Sequence, residues 1–140
     1  MRFMIMIRAN AGSESDALPD NRLVEAMTAY HEELAKAGVL LDANGLRPSA
    51  RGWRVRYTNG KGTVVDGPFA ETKELIAGYT LIQVRSRDEA LEWTRRFPAP
   101  FGAEMECEIE VRPLFELDDL TPSEAVERFR DLNVGRGHVA

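Results

Sequence analysis

The sequence predicts an α+β domain, an antiparallel sheet with two helices packed on one of its faces. Three observations lead there. A continuous apolar run, Phe3-Met4-Ile5-Met6-Ile7, opens the chain and reads as a central strand. Two stretches with helical spacing of apolar residues follow, one between Asp20 and Gly38, the other between Ser86 and Pro98. Extended runs with period-two alternation separate and follow them. The order is strand, helix, strand, an inserted hairpin, strand, helix, strand. That is the split βαβ arrangement of a ferredoxin-like domain.

Each element has its own signal. Residues 9–17 form a polar loop with Gly12, Ser13 and Ser15. Asp20 is the expected N-cap of the first helix. Leu23, Met27, Tyr30 and Leu34 mark its buried face, and Gly38 ends it in the place a left-handed cap needs. His31 is expected on an exposed or flanking face of this helix. Val39-Leu40-Leu41 is the second strand, ended by Gly45 and Pro48. Trp53, Val55 and Tyr57 alternate with Arg54 and Arg56, the pattern of a half-buried antiparallel strand. Asn59-Gly60 turns it back through Thr63-Val64-Val65. In the strand after Gly78, Tyr79, Leu81 and Gln83 point one way and Thr80, Ile82 and Val84 the other. Ser86 and Glu89 form a capping box for the second helix. Its inner face is Ala90, Trp93, Thr94 and Phe97. Cys107 to Phe115 is the last strand, with Glu108, Glu110 and Arg112 on the face away from the helices. In the tail, Thr121, Pro122 and Glu124 read as N-cap, N1 and N3 of a short amphipathic helix carrying Ala125, Val126, Phe129 and Leu132. Too short to stand alone, it is expected to dock on the body or on a partner subunit. The domain is expected over residues 1–117 and the extension over 118–140.

Composition narrows the function classes. With 140 residues, 44% hydrophobic and 29% charged, the chain is a soluble-type domain with enough residues for a core. A net charge of −5 argues against a general nucleic-acid binder, although Arg51, Arg54 and Arg56 lie close together. The one cysteine, Cys107, fits a reducing compartment. No apolar run has the length of a membrane span, and the first residues lack the features of a signal peptide. The expectation is a cytoplasmic protein that binds neither nucleic acid nor membrane.

The remaining segment, Asp66-Gly67-Pro68-Phe69-Ala70-Glu71-Thr72-Lys73-Glu74, joins a β-branched run to the apolar strand beyond Leu75. Pro68 fixes its own φ and disfavours helix at Gly67, and Asp66 suits a turn. The stretch resembles the signature of the DGPF proteins, a branch of the YCII-related superfamily, whose name spells residues 66–69. The resemblance continues through Lys36-Ala37-Gly38-Val39-Leu40-Leu41, Gly45-Leu46-Arg47-Pro48, Glu89-Ala90-Leu91-Glu92-Trp93 and Glu110-Val111-Arg112-Pro113, covering nearly all of residues 1–120. It implies a homodimer with two sheets face to face, the dimeric α/β barrel. It also implies that Asp66 matches the aspartate of a His-Asp pair proposed as catalytic in some YCII-related proteins. No histidine stands in the first strand or near Asp66; the two present are His31 and His138. Tyr79 or Lys73 would have to replace the imidazole. The association of DGPF-type proteins with extracytoplasmic-function sigma factors implies a regulatory alternative.

Other chemistries have weak support. No His/Cys cluster has zinc-ligand spacing. Asp66, Glu71, Glu74 and Glu110 could form an oxygen-ligand set, but such spacings are common on surfaces, so neither a metal nor a cofactor is expected. Cys107 between Glu106 and Glu108 is a poor nucleophile. There is no nucleophile elbow, phosphate loop or dinucleotide fingerprint. Acid–base chemistry survives, with Asp66 and Tyr79 as candidate catalytic residues and Lys73, Glu74, Glu110 and Arg112 as candidate ligand-binding residues. An Asp66 facing Arg112 would serve as a binding group or a base. Three readings follow. One is a small-molecule site in a polar cleft between two sheets. Another is a non-enzymatic regulator with a protein partner. The third is a turn that only shapes the sheet.

Overall fold

The computed structural model describes residues 1–132. His138 and the rest of the extension from Asn133 lie outside the described residues. The elements run β1 (Arg2–Arg8), α1 (Asn21–Lys36), β2 (Leu40–Gly45), β3 (Trp53–Thr58), β4 (Lys61–Asp66), β5 (Ile76–Gln83), α2 (Arg87–Arg95), β6 (Ile109–Pro113) and α3 (Glu124–Leu132). Four strands form an antiparallel sheet in the order β2-β5-β1-β6, and β3 and β4 form a separate two-stranded ribbon. This is the ferredoxin-like arrangement with a hairpin inserted between β2 and β5. Within the chain the four-stranded sheet does not close into a barrel; β2 and β6 are its edges.

Register decides which side chains meet. Phe3 pairs with Ile82 and Pro113, and Ile5 with Thr80 and Val111, so these side chains share one face. Tyr30 and Leu34 of α1 and Ala90 of α2 pack there with Val39 and Val84, and Trp93 and Phe97 close the cluster. Leu34, Ile5 and Ile82 have no exposed surface. Burial of each stabilises the fold by about 1.5–3 kcal/mol. The Tyr30 hydroxyl donates to the Trp93 carbonyl at 2.8 Å, which ties α1 to α2. Burial raises the Tyr30 phenol to about 12, against a pull from Arg96 and with a smaller push from Glu33.

The caps follow the chemistry of their residues. Asp20 accepts the Arg22 N–H at 2.8 Å, and Gly38 takes φ +74° after α1. Asn59 and Gly60, both at positive φ, make the β3–β4 turn. Ser86 caps α2 by accepting the Glu89 N–H, but the Glu89 carboxylate reaches past Ser86 to the Arg85 N–H at 2.8 Å. The cap of α3 is Ser123, which accepts the Val126 N–H at 3.1 Å, two residues later than Thr121. The last strand is shorter than the apolar alternation suggested, Ile109–Pro113 rather than Cys107 to Phe115.

One expectation is narrowed, His31 taking the flanking position, and one is overturned, the half-burial of β3. His31 is half-buried, with Nδ1 2.6 Å from the Met27 carbonyl and Nε2 2.7 Å from Thr80 Oγ1. Standing four residues after Met27 and three before Leu34, it belongs to the stripe that leans on the sheet. The β3 alternation is real, yet no side of the ribbon is buried. Trp53 is 65% exposed, Tyr57 76%, Val64 63% and Val55 42%.

Candidate functional site

The face of the four-stranded sheet opposite α1 and α2 carries two polar groups separated by an apolar strip. Register aligns Asp42, Leu81, Met4 and Arg112 in one row and Asn44, Tyr79, Met6 and Glu110 in the next. At the β2–β5 side, the Tyr79 phenol donates to the Asp42 carboxylate at 2.8 Å. The Asn44 amide donates to the Tyr79 oxygen and to the other Asp42 oxygen, both at 3.1 Å. The triangle is exposed and leaves acceptor capacity on Asp42 and on the Asn44 carbonyl. At the β1–β6 side, Arg8 donates to Glu110 at 2.7 Å and approaches Glu108 at 3.7 Å. Its other terminal nitrogen reaches the Lys73 carbonyl at 3.3 Å. Arg112, between these groups and the far end of the sheet, is exposed, and its guanidinium bonds none of the described residues. Two strand spacings, about 10 Å, separate Tyr79 from Glu110.

The strand positions explain what the sequence reading located and what it passed over. Tyr79, Glu110 and Arg112 do share this face. Asp42 and Asn44 were passed over because period two from Leu40 would carry Asp42 to the helix face, whereas a register shift between Leu40 and Asp42 turns the acidic side chain to the open face.

The other candidates stand elsewhere. Asp66 ends β4 opposite Trp53, and its carboxylate meets neither Tyr79 nor Arg112. Lys73 and Glu74 lie in a single 3-10 turn, Thr72–Glu74, with exposed side chains. Glu71 precedes that turn.

The turn through residues 66–69 is built as a clamp. The Gly67 N–H donates to the Gly52 carbonyl at 3.0 Å. A β-carbon on Gly67 would lie 1.9 Å from the Ser49 carbonyl oxygen, so only glycine fits there. Ser49 donates its hydroxyl to the Glu14 carboxylate, gives its N–H to the same group at 3.0 Å, and accepts the Phe69 N–H at 3.1 Å. Its hydroxyl is therefore committed to structure. The Arg54 guanidinium lies 3.8 Å from the Phe69 ring centre.

Elsewhere, an apolar hollow of about 230 Å³ opens between α2 and the β1–β6 edge, lined by Phe3, Ala90, Leu91, Thr94 and Val111. Arg87 and the terminal ammonium of Met1, which already donates to the Val84 carbonyl, are the charges at its lining, so it offers little else to orient a polar ligand. Among the described residues no group of three His, Cys, Asp or Glu side chains is placed to hold a metal ion, and no helix is long and apolar enough to cross a membrane.

Residues 1–116 match the family of the YCII-related domain. An uncharacterised protein of Rhizobium meliloti (strain 1021), R00369, is 38% identical over 76 residues, 54% of this chain. The chain spans about 61% of that relative's length. The chain belongs to the YCII-related family.

Proposed function

We propose that this YCII-related protein binds a small polar molecule on the open face of its sheet, as a homodimer whose two sheets face each other. The observation that supports it is the Asp42–Asn44–Tyr79 triangle. Three polar side chains from two strands, Asp42 and Asn44 exposed and Tyr79 half-buried, converge there beside the apolar Met6, with the unpaired Arg112 across the sheet. The ligand would carry a hydrogen-bond donor for Asp42 and an anionic group for Arg112. A second copy over this face would exclude water and strengthen both contacts.

Acid–base catalysis needs a proton donor and an acceptor in reach of one another. Tyr79 and Asp42 meet that condition at 2.8 Å, so we place any such chemistry there. The second reading, a regulatory protein associated with an extracytoplasmic-function sigma factor, is favoured by the pairing of Arg8 with Glu110 and by the exposure of Phe115 (80%) and Phe129 (52%).

Thermal unfolding of wild type, Tyr79→Phe, Arg112→Gln and Asp66→Asn against a library of metabolites, nucleotides and divalent ions tests the proposal. A ligand at about 100 times its Kd adds roughly 2.7 kcal/mol, a rise of several degrees. The expected result is a compound that stabilises wild type but neither Tyr79→Phe nor Arg112→Gln. Loss only in Asp66→Asn would move the site to the clamp. No compound shifting wild type would favour the regulatory reading.

A further inference from the structure

We infer that the ligand of the open sheet face is a zwitterion with an apolar body, an unbranched ω-amino acid whose amine sits on Asp42 and whose carboxylate sits on Arg112. This rests on the ligand site proposed for that face and names the class of molecule it takes.

Charge pairing singles out the two groups. On this face Arg8 holds Glu110 at 2.7 Å and Arg2 holds Glu116 at 3.0 Å. Asp42 and Arg112 form no ion pair with any of the described residues. Asp42 is instead bonded by three neutral donors, the Ala43 N–H at 2.9 Å, the Asn44 amide at 3.1 Å and the Tyr79 phenol at 2.8 Å. A carboxylate offers about four acceptor positions, so about one is left, and the three donors already fix its direction. Such a group takes an N–H of an ammonium without rearranging. Arg112 presents an uncommitted fork of donors, the shape that receives a carboxylate on two bonds.

Register sets the length and the chemistry of the body. Asp42, Leu81, Met4 and Arg112 stand in one row across β2, β5, β1 and β6. Three strand spacings put about 14 Å between the first and last backbones, and a hydrogen bond of about 2.8 Å at each end leaves roughly 9 Å between the ligand's two charges. A chain of about six methylenes spans that distance. Leu81 and Met4 lie beneath it, with Met6 alongside in the next row. A peptide of equal length would lay its N–H and C=O groups on these apolar side chains without partners. A methylene chain removes apolar surface from water there instead, and the methionines adapt to its shape.

The test is a titration followed through isotope-labelled methionine methyl signals, with Met4 and Met6 as reporters and Met27, on α1, as the control. The probe is 7-aminoheptanoate. It is expected to shift Met4 and Met6 and to leave Met27 unmoved. Heptanoate, heptylamine, 4-aminobutanoate and trialanine should each bind about tenfold or more weakly. In Asp42→Asn, 7-aminoheptanoate and heptanoate should bind alike; in Arg112→Gln, 7-aminoheptanoate and heptylamine should. Both side chains are exposed, so the fold should persist in each variant, with the Met27 signal as the check. Equal binding of all probes to wild type, or a preference for the zwitterion that survives either substitution, would overturn the inference. So would weaker self-association of both variants in sedimentation velocity with no response of wild type to the amino acids, because the two charges would then serve each other across two copies. A compound of another class that stabilises wild type but not Tyr79→Phe, with the amino acids silent, would overturn this inference and leave the proposed site standing. Silence from every compound would overturn both.

Discussion

Gly67→Ala should damage the protein more than the loss of one hydrogen atom suggests. The new methyl would sit 1.9 Å from the Ser49 carbonyl oxygen and 2.7 Å from its carbon. Ordinary contact begins near 3.4 Å, so the two segments would have to part by about 1.5 Å. Neither is free to move. The Ser49 segment is held to Glu14 through both its N–H and its hydroxyl, and the Gly67 segment by the bonds to Gly52 and Ser49. Overpacking against fixed groups costs about 1–3 kcal/mol, and a backbone clash belongs at the upper end. Reduced freedom of the unfolded chain returns about 0.4–1 kcal/mol. The net loss is about 2 kcal/mol, which lowers Tm by roughly 6–8 °C in a chain of this size. Thermal unfolding by circular dichroism reads it. Hydrogen exchange should show faster exchange at the Gly67 and Phe69 amides than in wild type. A variant melting within about 1 °C of wild type, with those amides still protected, would refute the argument that close approach dictates this glycine.

Glu116 accepts from Arg2 at 3.0–3.2 Å, and this hydrogen bonding first, then the nearby positive charge, lowers its pKa despite partial burial. A lowered carboxylate stabilises the fold above its ordinary range and loses that contribution as pH falls through the folded value. Glu116→Gln should therefore melt lower at neutral pH, by at most about 1 kcal/mol because water screens the pair, and the gap should close in acid. Tyr30 should ionise near 12, and stability should fall between its unfolded value of 10 and that pH; phenolate absorbance during an alkaline titration should show one late-titrating tyrosine. Thr80→Val should cost about 1–2 kcal/mol in denaturant unfolding, since it strips the His31 Nε2 of its partner at a site 1% exposed. Ser86→Ala should cost about 1 kcal/mol by the same assay through the lost cap of α2.

What could be read from the sequence was whatever a local rule controls. The apolar run at Phe3–Ile7, the alternation around Tyr79 and Ile109, and the caps at Asp20 and Gly38 each depend on a few neighbouring residues. They yield the element order and hence the ferredoxin-like sheet. The half-burial expected of β3 failed for a different reason. Alternation records that a strand has an inner face, but says nothing about which molecule supplies the interior. The candidate site divided along the same line. Tyr79, Glu110 and Arg112 share a face because period two places them there. Asp42 joins Tyr79 through a register shift between strands 35 or more residues apart, which no local rule carries. His31 lay behind a helical neighbour, and its contact with Thr80 spans 49 residues.

The clamp around Gly67 has a consequence for anyone recombining this chain with a relative. Glu14, Ser49, Gly52, Gly67 and Phe69 come from three separate segments, and each depends on the others for its place. A crossover between residues 52 and 67 would hand a hybrid one parent's hairpin and another's seat for it. Crossovers before residue 14 or after residue 69 keep the unit whole. Breakpoints chosen by this rule should give folded hybrids at a higher rate than breakpoints inside it, so the hairpin and its three supporting loops are exchanged as one module or not at all.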